Sequence, residues 1–180
     1  VDKKHLHKII MESLDKVLNE DAGYHFPEWF DTSTIENGRV RLYHGLRYEN
    51  LDYVLTEEKL SPKVCSEGCY GLWFTTKNAN DYASGYPCMI TITVPIEDFK
   101  NGKFHIMNQT HVLTTKDIPT DDEYEFEVLK IGSYRLKDKR QIDNLREMFD
   151  KDPRKMEAML NRQFDYDSIY YFLLNYIMEY

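Results

Sequence analysis

The chain has 180 residues, with 31 Asp and Glu against 23 Lys and Arg, so its net charge is −8 and its pI lies near 5.3. Its 2 Trp, 14 Tyr and 9 Phe exclude a disordered chain, which would lack the apolar surface to offset ordering entropy. The acidic balance argues against a general phosphate-backbone binder, and no apolar run approaches the roughly 18 residues that span a bilayer, so no membrane partner is expected.

Residues 3–19 read as an amphipathic helix, because Leu6, Ile10, Leu14, Val17 and Leu18 fall on one face and charges fill the other. Residues 24–38 read as irregular, ending in an Asn37-Gly38 turn. Val40 to Tyr43 is a short strand ending at His44-Gly45, and Asn50 is placed to cap a helix running to about Glu58. Gly71 to Thr76 is a strand of aromatic and β-branched residues, Asn78 to Tyr86 a short helix, and Met89 to Val94 an alternating strand stopped by Pro95. Three further strands are predicted at about 103–107, 110–115 and 123–131; in the last, Tyr124, Phe126 and Val128 share one face and Glu123, Glu125 and Glu127 the other.

After Gly132 the pattern turns helical. Residues 130–163 hold ten Lys and Arg against six Asp and Glu, so this segment is locally basic and reads as a solvated helix pair. Residues 164–180 carry seven aromatics at helical spacing, expected to pack on the N-terminal helix or on a second copy. The expected organisation is a lead-in over 1–38, a compact mixed α/β core over 39–132, and a helical extension over 133–180.

Three cysteines, Cys65, Cys69 and Cys88, are an odd count and too few for a disulfide framework. No second Cys or His pair accompanies Cys65-x-x-x-Cys69, and the remaining histidines lack ligand spacing, so no metal is expected. Reduced thiols in a cytoplasmic protein are the expectation. It is strengthened by an opening Val1-Asp2-Lys3-Lys4-His5 that lacks the apolar run of a signal peptide.

The stretch His44-Gly45-Leu46-Arg47-Tyr48-Glu49-Asn50 has the form H-G-x-R-x-x-N, and Gly71-Leu72-Trp73-Phe74 follows with Tyr82 nine residues after Trp73. Gln109-Thr110-His111-Val112-Leu113 then precedes Ile118-Pro119 and a last strand. In this order the three pieces resemble the active-site motifs of poly(ADP-ribose) polymerases and diphtheria-toxin-like ADP-ribosyltransferases, over residues 39–131. The resemblance implies an α+β fold with a split, mixed or antiparallel sheet and helical additions at both ends. It also implies NAD as substrate.

In that chemistry the bond between nicotinamide and ribose breaks through an oxocarbenium-like state, and the leaving group is a flat aromatic. The resemblance gives the nicotinamide clamp to Trp73 and Tyr82, the carboxamide contact to the backbone of Gly45, and a ribose hydrogen bond to His44. A guanidinium fork at Arg47 suits the pyrophosphate. The departures are Trp73 for the usual Tyr, Ala79 for a Ser, and Gln109 where a catalytic Glu is expected. A neutral amide cannot act as a base, which argues against chain-forming polymerase activity. Glu125 is the rival placement for the carboxylate, through Glu125-Phe126-Glu127-Val128.

The expected function is mono-ADP-ribosyl transfer to a protein or nucleic-acid acceptor that the sequence does not name, inside the cytoplasm or after delivery into another cell. A non-catalytic NAD- or ADP-ribose-binding protein is the alternative. A further alternative is an NAD-dependent RNA 2′-phosphotransferase, whose late motif is similar to Phe104 through Pro119. That branch depends on several arginines, and between His44 and Glu125 this chain has Arg47 alone.

Overall fold

The computed structural model describes residues 24–64, 68–77, 85–121 and 123–179. The helix expected over 3–19 lies outside these residues, as does most of the one over 78–86, Tyr82 included; Gly85 and Tyr86 are not helical.

Asn37 and Gly38 take φ of 51° and 73°. Two successive positive φ values let a two-residue turn match the twist of the strands it joins. The turn links β1 (Ile35–Glu36), in a stretch expected to be irregular, to β2 (Arg39–Leu46). β2 pairs along its whole length with β6 (Cys88–Pro95), from Arg39 opposite Pro95 to Leu46 opposite Cys88. β6 is an interior strand of the sheet: Cys88, Ile90, Ile92 and Val94 are fully buried on one face, and Met89 and Thr91 are buried on the other. That is why its sequence carries no charge.

Beyond β6 lie β10 (Glu127–Ile131) and β11 (Tyr134–Arg135), and beyond β2 lie β5 (Tyr70–Thr75), β8 (His111–Thr114) and β7 (His105–Ile106). β4 (Lys63–Val64) adds to β5, and β3 (Lys59–Leu60) pairs with β9 (Ile118–Pro119) apart from the main sheet. Every pairing among the described residues is antiparallel.

Two strand expectations are corrected. The strand predicted over 123–131 begins only at Glu127, because Glu125 has φ 44° and breaks the extended chain. Tyr124 is nevertheless fully buried, its hydroxyl donating to Asp98 at 2.8 Å. The sheet also runs past residue 132: Gly132, with φ 58°, turns β10 into β11.

α1 (Tyr48–Glu57) has its N-cap at Arg47, three residues earlier than expected. Asn50 does not cap it, because its side-chain oxygen accepts from Lys63 Nζ at 2.5 Å. α2 (Ile96–Lys100) follows β6. α3 (Lys139–Lys151) is capped by the Asp138 carboxylate, and α4 (Pro153–Gln163) by that of Asp152, with Pro153 in its first turn where a missing N–H is harmless. The final aromatic-rich helix, α5 (Asp167–Glu179), packs on α1, α3 and α4. Its Ile169, Leu173 and Ile177 recur every four residues and are fully buried, each worth about 1.5–3 kcal/mol of hydrophobic stabilisation. The architecture is mixed α and β with an antiparallel sheet and, among the described residues, five helices. None of these helices is long and apolar enough to cross a membrane.

The thiol expectation fails at Cys69, which is disulfide-bonded, and holds at Cys88, a buried free thiol. Cysteine spacing alone carries no information on whether two sulfurs come within bonding distance.

Candidate functional site

β2 and β5 are bridged only at Tyr43 and Thr75. Past that point β2 stays with β6 while β5 follows β8, and the gap between them is a cleft of about 380 Å³. His44, Gly45, Arg47, Lys63, Trp73 and Tyr86 are among its lining residues. Two sequence segments about thirty residues apart, H-G-x-R-x-x-N and G-L-W-F, thus meet at one opening.

The meeting point is a hydrogen bond. His44 Nδ1 lies 2.6 Å from the Trp73 carbonyl. A carbonyl can only accept, so Nδ1 carries the proton. The imidazole satisfies a strand carbonyl at the place where the β2–β5 ladder has ended. Burial holds the His44 pKa below its ordinary 6.5, and the positive charge of Lys63 adds to this, against an opposing effect of the Trp73 carbonyl. His44 is therefore neutral at neutral pH, and Nε2 is left as a hydrogen-bond acceptor.

Gly45 is buried beside it. A Cβ at this position would lie 2.5 Å from the Tyr86 ring, so the absent side chain is what lets that ring rest on the β2 backbone. The sequence pattern makes Tyr86 the last residue of a short helix and gives it no role at the site; only the return of the chain toward β6 sets it against Gly45. Trp73 is half-buried between Leu72 and Phe74, which belong to the core. Arg47 is largely exposed at the rim, 3.9 Å from Glu49. Lys63 reaches Asn50 and lies 5.6 Å from the centre of the Tyr53 ring. Tyr82 is outside the described residues.

The structure does not bring Gln109 or Glu125 to this cleft. Gln109 is exposed in the β7–β8 turn, its carbonyl accepting the Asp31 N–H at 2.7 Å. Asn108 Oδ1 accepts from the N–H groups of Thr110 and His111 at 3.0 and 2.9 Å, a side-chain turn that delays the strand to His111. Glu125 pairs with Arg39 at 3.5 Å and lines a different groove.

His111 stands opposite Thr75, which shares a strand face with Trp73, but it does not line the cleft either. It is the titratable side chain of β8 on that face, held by Asn108 Oδ1 2.9 Å from its Nδ1. The missing signal in the sequence was the register of β8 against β5. Among the described lining residues none carries a carboxylate. Comparison with protein-family models, with curated proteins and with solved structures finds no match to this chain.

Proposed function

We propose that the chain is an NAD-dependent mono-ADP-ribosyltransferase of the ADP-ribosyltransferase-like split-sheet fold, transferring ADP-ribose to a macromolecular acceptor and releasing nicotinamide. The observation that carries this reading is the joining of His44 to Trp73 across the gap between β2 and β5, with Gly45 in the same cleft. It is supported by the chemistry each group offers. The neutral His44 presents an acceptor nitrogen, which suits a ribose hydroxyl. Trp73 and Tyr86 are two described rings able to pack on a flat leaving group, beside the clamp residue Tyr82 that the resemblance implies. Arg47 and Lys63 put positive charge at the opening, which suits a pyrophosphate.

In the reaction the C1′–N bond breaks with its electron pair passing to the pyridinium ring, so nicotinamide departs neutral and needs no general acid. The acceptor atom bonds to C1′ and gives up its proton. The protein's part is to orient the ribose and favour the oxocarbenium-like state over bound NAD.

The absence of a lining carboxylate among the described residues favours a second reading, a pocket that binds NAD or ADP-ribose without turnover. Single-turnover labelling with tagged NAD separates the two. Transfer of label to the protein or to an added acceptor, lost in His44→Ala, supports the enzyme. NAD binding by calorimetry without nicotinamide release selects the binding protein, and the absence of NAD binding rejects both.

A further inference from the structure

A second polar groove of about 590 Å³ lies on the sheet beside the cleft, and the cleft's chemistry makes no use of it. Alternation along β2 puts Arg39, Arg41 and Tyr43 on one face, with Gly45 two residues further on. The first three line this groove, together with Thr34, Thr93 and Glu125. Thr93 stands opposite Arg41, so the two side chains are cross-strand neighbours.

The two arginines differ in their bonding. Arg39 is anchored: its guanidinium donates to the carbonyls of Thr93 and Glu123 at 2.9 and 2.5 Å and pairs with Glu125. Arg41 is exposed, and among the described residues its guanidinium has no carboxylate or carbonyl partner. Thr34 Oγ1 is buried without a hydrogen-bond partner. Glu125 holds a left-handed backbone at φ 44° on the groove wall, a strain that proteins store at ligand sites.

We propose that this groove binds a small-molecule phosphate monoester. The donor groups of its lining side chains include the guanidinium of Arg41, free among the described residues, and the hydroxyls of Tyr43 and Thr93. That is more than a carboxylate's two oxygens use, and it suits a tetrahedral group with three terminal oxygens. The volume exceeds that of phosphate alone, leaving room for the group that carries it. Glu125, a carboxylate on the groove wall beside it, is ion-paired with Arg39 at 3.5 Å. Glu36, exposed at the rim, is placed to accept from hydroxyl groups on the carrier. The site stands independently of the NAD reading, since neither His44 nor Trp73 belongs to it.

The test is NMR titration of the ¹⁵N-labelled full chain with inorganic phosphate and with ribose 5-phosphate. Sodium chloride at equal ionic strength and unphosphorylated ribose are the controls. Both phosphates should give saturable shifts at Arg41 and Thr93, and the controls should give none. Arg41→Gln should weaken binding by about tenfold or more, the loss expected for a charge-assisted pair, and Tyr43→Phe by a smaller factor. Lys100→Gln, which removes the same charge on α2, should leave binding unchanged. No saturable response in wild type overturns the proposal, as does an equal loss in Lys100→Gln. If Arg41→Gln has lost the dispersed spectrum of a folded chain, an unaltered affinity in Tyr43→Phe does the same. Ribose 5-phosphate binding no tighter than inorganic phosphate overturns the part of the proposal that assigns room to a carrier.

Discussion

At the scale of single residues, the chemistry turns on protonation and on one missing side chain. Because burial lowers the His44 pKa, the unfolded chain takes up a proton that the folded chain refuses. His44 therefore contributes stability above about pH 6.5, and that contribution is lost as the pH falls from there toward the folded value. Thermal unfolding measured from pH 8 to 5 should show a fall in Tm below pH 6.5 that is shallower in His44→Ala. The proposed NAD binding through the unprotonated Nε2 should for the same reason persist through pH 6.5 and weaken only below it.

Gly45→Ala drives a Cβ into the Tyr86 ring, but Tyr86 is 39% exposed and can swing aside. The stability cost should stay near 1 kcal/mol, at the low end for overpacking, while NAD affinity measured by calorimetry falls by about tenfold as the ring enters the cleft. Cys88 is pushed up to about 12, chiefly by burial, so its thiol should resist maleimide at pH 8 and react once the chain is unfolded.

At the scale of elements, caps and registers decide what lies where. Asp138 accepts from the N–H groups of Arg140 and Gln141 at the start of α3, at 3.1 and 3.3 Å. Asp138→Ala should cost about 1 kcal/mol in chemical denaturation, and NAD affinity should not change, because α3 does not line the cleft. The strand positions of β2, β5 and β6 and the Asn37-Gly38 turn were legible, since their patterns of alternation and turn chemistry are local. The start of β8 was not. The strand expected over 110–115 begins one residue late, at His111, because the Asn108 side chain holds 108–111 as a turn, and Gln109 stays in that turn rather than opening the strand as the motif resemblance implied. The strand at 123–131 fails for a similar reason: its period of two is real in sequence, but a left-handed Glu125 interrupts it while Tyr124 still reaches the core through its bond to Asp98.

At the scale of the whole molecule, the C-terminal helix braces the cleft from behind. α5 packs on α1, and α1 continues directly from Arg47 at the cleft rim. Leu173→Ala opens a cavity at a fully buried position and should destabilise the fold by about 2–5 kcal/mol, read from the denaturation midpoint. The seven aromatics of 164–180 thus divide: Phe164 and Tyr170 are core, whereas Tyr171 is 58% exposed.

The amino-acid sequence by itself determined the alternation that builds the central strands, the turn between β1 and β2, and the identity of His44, Gly45 and Trp73 as candidates, because each depends on residues near one another in the chain. Only the tertiary structure decided that β2 and β5 part after one bridge, that Tyr86 rests on Gly45, that Gln109 and Glu125 stand away from the cleft, and that Arg41 has no partner among the described residues. Those outcomes depend on strand register and on packing between distant segments, and a one-residue slip of register would turn every side chain of a strand to its opposite face.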